Sequence, residues 1–197
     1  MRRTQAERTA TTRAALLEAT VTCLCEHGYR GSTSAEICRR AGVSRGAQLH
    51  HYPTKAELFA DAVEHLFTLR IEGLGRVLRG ASPGDERLDR VLDALWSIYS
   101  GPEVAAWFEL VVVARTDAEL RARMAAVALR LESSAAALFR DSLGLSEDLP
   151  AQAVVRTVMA WMDGLAVHAS LHGDLEAVAE SRAVFRALAA PWMGVRP

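Results

Sequence analysis

The segment from Ser44 to Ala47 carries residue types that together suit contact with the phosphates and base edges of a nucleic acid. Ser44 can cap a helix, which leaves backbone amides at the amino end of that helix free to meet an anion. The Arg45 guanidinium can donate paired hydrogen bonds to guanine or to a phosphate, and the small side chains of Gly46 and Ala47 permit a close approach. The same residues also fit an ordinary helical hairpin in a protein core, so this segment alone leaves both interpretations open.

Two short helices must present this segment. Thr33 and Glu36 have the spacing of a capping box that starts one helix, and Gly42 is its stop signal. Ser44 then starts a second short helix that ends near His51. Apolar residues of the pair are spaced to bury a small core shared with the preceding helix: Ile37, Ala41, Val43 and Leu49. This pattern predicts a helix-turn-helix.

Helical periodicity, with almost no alternating β-branched runs, continues through the rest of the chain. A first long helix is expected from about Glu7 to His27, with the inward stripe Leu16, Leu17, Thr20, Cys23 and Leu24. Thr54 and Glu57 form a second capping box that opens a long fourth helix. Later breaks are expected at Gly80 to Gly84, Gly101-Pro102, Thr116-Asp117, Gly144 to Pro150 and Gly173-Asp174. The sequence therefore predicts an all-α fold of about nine helices, with a three-helix domain over residues 1–56 and a larger helical domain over residues 57–197.

The charge of the chain is unevenly distributed. Residues 1–57 hold nine basic and five acidic residues, a net charge of +4, whereas the remainder carries a net charge of −5. A basic amino-terminal part on an acidic body suits a nucleic-acid-binding head, because phosphates attract local positive charge.

Composition argues against several other classes of protein. The longest apolar stretch, residues 151–171, is broken by Arg156 and Asp163, and the first residues lack the apolar run of a secretory signal, so we expect a cytoplasmic protein. The three cysteines, Cys23, Cys25 and Cys38, are odd in number and suggest no disulfide framework. No third ligand accompanies any candidate metal pair, so neither a metal nor another cofactor is predicted.

A longer stretch, from about Thr12 to Phe59, resembles the DNA-binding domain of the TetR family of regulators without a gap. The resemblance rests on many spaced positions together: Gly28-Tyr29, Thr33, Ile37, Ala41-Gly42-Val43-Ser44, Gly46, His50-His51-Tyr52, Lys55, Glu57 and Leu58. It implies a two-domain, all-helical homodimer in which residues 1–56 bind DNA and residues 57–197 bind a small-molecule effector and form the dimer.

Roles for individual residues follow from this resemblance. Thr33 would hold a phosphate, Lys55 would neutralise another, and Arg45, Gly46, Ala47 and His51 would face bases or backbone in the major groove. The candidate DNA-binding set is Thr33, Ser44, Arg45, Gly46, Ala47, Gln48, His50, His51, Tyr52 and Lys55.

The chain departs from the family pattern at Gln48-Leu49, where Leu-Tyr is more usual. Gln48 either takes over the missing tyrosine's contact or lies half-buried, because Tyr52, four residues further along the helix, is expected to pack inward. His50 and His51 point about 100 degrees apart on a helix and do not chelate a metal together, so DNA contact or packing is the better interpretation.

Bulky residues on several helices of the larger domain could line an apolar ligand pocket, although core packing explains such residues equally well. The candidates are Trp96, Tyr99, Trp107, Phe108, Val111, Met124, Trp161 and Met162. The helix from about Pro150 to His172 is apolar on nearly every side, which implies a second partner surface. The resemblance places it, with the last helix, in a four-helix dimer interface of Val158, Trp161, Leu165, His168, His172, Phe185, Leu188 and Ala189.

The sequence thus favours a non-enzymatic transcriptional regulator. Repression of a near-palindromic operator, relieved by an apolar or amphipathic ligand, is the leading hypothesis. A ligand-independent or activating regulator remains an alternative. A helical enzyme with a vestigial helix-turn-helix is less favoured, because no nucleophile and base are spaced for mutual contact. A purely structural dimerisation module is also less favoured, because it would not need a basic head with Arg45 and Lys55.

Overall fold

The computed structural model describes residues 4–79, 85–143 and 150–189. Every element in these ranges is an α-helix: α1 (Gln5–Gly31), α2 (Ser34–Ala41), α3 (Arg45–His51), α4 (Lys55–Arg79), α5 (Asp85–Tyr99), α6 (Pro102–Ala114), α7 (Ala118–Leu143), α8 (Ala151–His172) and α9 (Leu175–Ala189). The predicted breaks at Gly101-Pro102, Thr116-Asp117 and Gly173-Asp174 are confirmed. Those at 80–84 and 144–149 lie outside the described residues.

Local sequence signals account for the helix starts. Thr4 and Glu7 form a reciprocal capping box at α1, with the Glu7 carboxylate accepting from the Thr4 amide at 2.7 Å. The predicted box at α2 is only half made. The Thr33 hydroxyl accepts from the Glu36 amide at 3.3 Å, but the Glu36 carboxylate binds Arg39 and Arg40 instead of the cap.

The described residues pack as two compact units. Unit one comprises residues 4–68 and 102–129, and unit two comprises residues 69–79, 85–101, 130–143 and 150–189. In unit one, α1 packs on α2 and α6, whereas in unit two α5, α8 and α9 pack together. The functional division at residue 56 stays a prediction, because compact units group segments by packing and not by role.

The core of unit one lies between α1 and the helices that follow it. The predicted α1 stripe is confirmed, since Leu16, Leu17, Thr20, Cys23 and Leu24 are all buried. In the predicted helix-turn-helix core Ile37 is buried, but the prediction for Leu49 is wrong, because its side chain is 48% exposed. Gln48 and Tyr52 occupy the inward side of α3 instead. They lie four residues apart and therefore share one helix face.

Gly28 interrupts α1 with φ 66° and ψ −178°, a conformation that is almost restricted to glycine. A Cβ atom there would lie 2.6 Å from Glu109 Oε1 on α6. The helix therefore bends at the point where α6 reaches it, and glycine is required both by the backbone and by the neighbouring carboxylate.

We expect Gly28→Ala to lower the free energy of unfolding by about 3 kcal/mol, since it adds backbone strain and displaces Glu109. Gly42 shares φ 66° but has nothing within 4 Å of an added Cβ, so Gly42→Ala should cost only about 1 kcal/mol. Urea unfolding of both variants measures the difference. Equal stabilities for Gly28→Ala and the wild type would contradict this account.

Candidate nucleic-acid interface

The amino end of α3 is open to solvent. Ser44 caps it, with its hydroxyl accepting from the Ala47 amide at 3.1 Å. Arg45 and Gly46 are exposed, and Ala47 is half-buried. No residue in the described ranges forms a hydrogen bond or ion pair with the Arg45 guanidinium. This end of α3 therefore offers a small, unobstructed surface with one available guanidinium.

The opposite side of α3 is buried against the rest of unit one. Gln48 is 3% exposed, and its side-chain nitrogen donates to the Tyr52 carbonyl at 2.9 Å. Tyr52 is fully buried beneath the Arg13 guanidinium, whose central carbon lies 4.9 Å from the ring centroid, and burial raises the pKa of Tyr52 to about 12. The inward alternative for Gln48 is therefore the one this conformation favours. Both side chains pack inward in this conformation and anchor α3, and their predicted DNA contacts stay predictions.

The histidines at the end of α3 differ in exposure. His50 is exposed, His51 is half-buried, and their ring centroids lie 5.3 Å apart in an edge-on arrangement. Leu49 lies exposed beside them. No group of three or more potential metal-ligating side chains occurs in the part of the chain that the structure describes. His50 and His51 thus stay candidates for DNA contact.

Thr33 is exposed at the start of α2, next to a cluster of charges. Glu36 accepts from Arg39 Nη2 at 2.6 Å and from Arg40 Nε at 2.7 Å, and Arg40 also pairs with Glu26. These hydrogen bonds hold the pKa of Glu36 down to about 2. Because Arg39 and Arg40 are already paired with carboxylates, they are weaker candidates for phosphate contact than Arg45.

Lys55 begins α4 and is the only lysine in the chain. Its ammonium group donates to the Tyr29 carbonyl at 2.6 Å and lies 4.1 Å from the Tyr29 ring centroid. Burial lowers the pKa of Lys55, although the charge of Glu109 opposes that shift. In this conformation the ammonium is held against the protein, and its predicted phosphate contact stays a prediction.

The predicted ligand-binding residues divide between the two units. Unit one contains Trp107, Phe108, Val111 and Met124, of which Met124 is buried and Val111 is 43% exposed. Unit two contains Trp96, Tyr99, Trp161 and Met162, of which Tyr99 and Met162 are buried. Trp161 stacks on Phe185 at 3.9 Å, so this ring fills space within its own unit.

The structure identifies a partly buried carboxylate in unit two, that of Asp163. Burial raises the pKa of Asp163 to about 6, and its charge acts on the phenol of the neighbouring Tyr99. In the sequence analysis Asp163 appeared only as a charge that interrupts the longest apolar stretch. The signal for Asp163 in the sequence was a carboxylate within the apolar helix α8.

The predicted dimer residues also differ in exposure. Val158, Leu165 and Ala189 are already buried within the single chain, whereas Leu188 is 62% exposed. His168 and His172 are exposed, with ring centroids 4.5 Å apart. Exposed apolar or small residues on α8 and α9, of which the sequence analysis had named only Leu188, are here called the α8–α9 apolar face: Ala160, Gly164, Val167, Leu171, Val184 and Leu188.

Two short helices, α2 and α3, joined by a tight turn at the left-handed Gly42 have the arrangement of a helix-turn-helix. The model of bacterial regulatory proteins of the tetR family matches residues 16–62, and the model of the C-terminal domain of BetI-type transcriptional repressors matches residues 83–191. The chain belongs to the TetR family of transcriptional regulators, as its sequence predicted. None of the helices in the described ranges is long and apolar enough to span a membrane.

Individual relatives agree with this assignment. The chain is 38% identical over 120 residues to the transcriptional regulator CymR of Pseudomonas putida, covering 61% of this chain and 59% of CymR. It is 31% identical over 175 residues to the transcriptional repressor AcnR of Corynebacterium efficiens, covering 80% and 84%. The matched region spans about three-fifths of the first curated relatives.

The fold is shared with solved structures. A TetR-family transcriptional regulator from Rhodococcus sp. superimposes with a TM-score of 0.74 at 22% identity, covering 93% of this chain and 99% of that one. This likeness supports the predicted all-α architecture, with an amino-terminal helix-turn-helix followed by a larger helical domain.

Glu36 should make the stability of the protein sensitive to acid. Because its pKa in the folded chain lies below its unfolded value, the stabilising contribution is present above about pH 4.3 and disappears as the pH falls towards 2. We expect Glu36→Gln to lose less stability than the wild type over that interval in urea unfolding. The exposed Glu18→Gln variant, as control, should follow the wild type. Parallel curves for Glu36→Gln and the wild type would contradict the prediction.

Proposed function

We propose that this protein is a dimeric transcriptional repressor that inserts α3 into the major groove of operator DNA and leaves the operator when a small molecule binds. The observation that carries the proposal is the contrast between the two sides of α3. Its amino end exposes Arg45 and Gly46, while Gln48 and Tyr52 fix its other side in the core. A firmly held helix with one open end can meet base edges without first becoming ordered. Since the proposed target is operator DNA, the proposal also implies a cytoplasmic location.

Dimerisation through the α8–α9 apolar face would complete the DNA-binding protein. Gly164 and Leu188 each lie three residues after a member of the Trp161–Phe185 stack, so the exposed residues flank the contact that joins the two helices. A two-fold dimer presents two α3 helices about one DNA turn, roughly 34 Å, apart. The operator is then a near-palindrome.

The effector would be an apolar or amphipathic molecule bound by the larger domain. In unit one the half-buried Trp107 and Phe108 are better suited to contact a ligand than the buried Met124, and in unit two, taken by itself, the half-buried Trp96 is better suited than the buried Met162. Relief of repression requires that the ligand binds the DNA-free conformation more tightly than the DNA-bound one. This part of the proposal is tested by titrating candidate metabolites into a preformed DNA complex.

Arg45→Ala should weaken binding to the operator by about 1–3 kcal/mol, or roughly 5- to 150-fold, and should blunt preference at one base pair of each half-site. The operator is first selected from a random duplex library, and affinities are then measured by fluorescence anisotropy at several salt concentrations. Arg121→Ala, at another exposed arginine of unit one, is the matched control. The proposal fails if the wild type forms no salt-sensitive, sequence-preferring complex.

Gly164→Arg should convert the dimer into a monomer of 21.4 kDa without harming the fold. Nothing lies within 4 Å of a Cβ atom at this position, and replacing glycine inside a helix stabilises it by about 0.5–1 kcal/mol. Sedimentation velocity gives the mass, and thermal unfolding monitors the fold. Ala137→Arg, at an exposed position of α7, should remain dimeric. A dimeric Gly164→Arg variant would exclude this face as the interface.

A further inference from the structure

We infer that Glu109 of α6 is a positioning residue for DNA binding, because it holds the backbone of Tyr29 and through it the side chain of Lys55. The inference rests on the proposed function for its consequence on DNA, but the Glu109–Lys55 link is independent of it. All the residues involved belong to unit one.

The Glu109 carboxylate contacts α1 at the point where Gly28 interrupts that helix. The carboxylate Oε1 accepts from the Tyr29 amide at 2.7 Å, just after the interruption at Gly28. An added Cβ on Gly28 would lie 2.6 and 2.7 Å from the two carboxylate oxygens. Only glycine leaves room for the carboxylate there, and only a broken helix turn leaves the Tyr29 amide available as a donor.

Lys55 binds the backbone carbonyl of Tyr29, the residue whose amide binds Glu109. Its ammonium donates to the Tyr29 carbonyl at 2.6 Å and lies over two rings, 4.1 Å from the centroid of Tyr29 and 4.9 Å from that of Phe59. The two rings are themselves packed edge-on, with centroids 5.1 Å apart. The Tyr29 backbone therefore lies between a carboxylate on α6 and an ammonium on α4.

The charge on Glu109 also acts on the ammonium of Lys55 directly. Asp117 and Glu119, from the turn and the start of α7, act on the phenol of Tyr29 and not on Lys55. Negative charge at Glu109 favours the protonated amine, while burial among the rings disfavours it. Removing that charge should make the Lys55 amine easier to deprotonate.

This arrangement matters for DNA because of where Lys55 lies. It is the first residue of α4 and follows the end of α3 at His51 by four positions. Whatever fixes Lys55 against α1 also fixes the chain that leaves α3. Loss of Glu109 should therefore loosen α3 at its carboxyl end while leaving Arg45 and its surroundings chemically intact.

The single lysine gives a direct readout. We expect Glu109→Gln, which keeps an oxygen acceptor but removes the charge, to shift the pH profile of Lys55 acylation to lower pH and to raise its rate severalfold at neutral pH. Peptide mass spectrometry separates Lys55 from the terminal amine. Operator affinity should fall about tenfold, the order expected when a charged hydrogen bond that orders a binding element is lost. Glu109→Ala should exceed both effects.

Glu132→Gln is the matched control, since Glu132 is a helical carboxylate held by Arg156 in unit two, and it should match the wild type in both measurements. An unchanged acylation profile in Glu109→Gln overturns the inference, whatever happens to affinity. A shifted profile with unchanged operator affinity overturns the positioning role in DNA binding. If the wild-type protein binds no duplex, the proposed function fails, and the acylation profile still decides whether Glu109 controls Lys55.

Discussion

The structure depends on how a helix of seven residues is kept folded. A helix as short as α3 is unstable in isolation, because forming the first helical turn restricts several backbone dihedrals in return for a single hydrogen bond. Its stability must come from the residues around it, and Gln48 and Tyr52 bring α3 into that core. The side that is buried then determines the side that remains open. Exposure of Arg45 is therefore a consequence of packing on the opposite face.

The arginines near α3 differ in whether their guanidinium groups are already paired with a carboxylate. Arg13 is held by Asp61 and lies over Tyr52, and Arg39 and Arg40 share Glu36. These contacts are individually weak at the surface, but they determine which guanidinium groups face carboxylates. Of these four arginines, Arg45 is the one for which no such partner occurs in the described ranges. Local pairing thus separates structural arginines from one suited to recognition, which the net charge of the region could not do.

The sequence predicted those features that depend on local chemistry. Caps at Thr33 and Ser44 and the stop at Gly42 follow from side-chain hydrogen bonds and left-handed backbone, which neighbouring residues largely determine. The exchange of Leu49 for Gln48 on the inward side was less predictable. It requires a buried amide whose hydrogen bond to Tyr52 is supplied by the helix end itself, against the usual preference for leucine in a core.

Hydrophobic periodicity in the sequence does not predict contacts between distant segments of the chain. The link from Glu109 to Tyr29 joins residues 80 positions apart, and nothing around Glu109 in the sequence distinguishes it from a solvated glutamate. Similarly, an apolar residue such as Val158 reads as an interface candidate until the chain itself is seen to cover it. The carboxylate at Asp163 was visible as an oddity within an apolar helix, but its burial and its proximity to Tyr99 depend on tertiary packing.

Energetics favour a covered α8–α9 apolar face. Its large members are far from buried: Leu171 is 75%, Val184 62% and Leu188 62% exposed. Burying a leucine or valine fully contributes about 1.5–3 kcal/mol, and the four leucines and valines of this face are already partly buried, so two chains together would gain on the order of 7–14 kcal/mol. Association costs about 4–15 kcal/mol before any interface is gained. The small residues at 160 and 164 would let two helices approach closely enough to realise that gain. The apolar gain is thus comparable with the cost of association, and close packing at the small residues would add dispersion contacts that favour the proposed dimer.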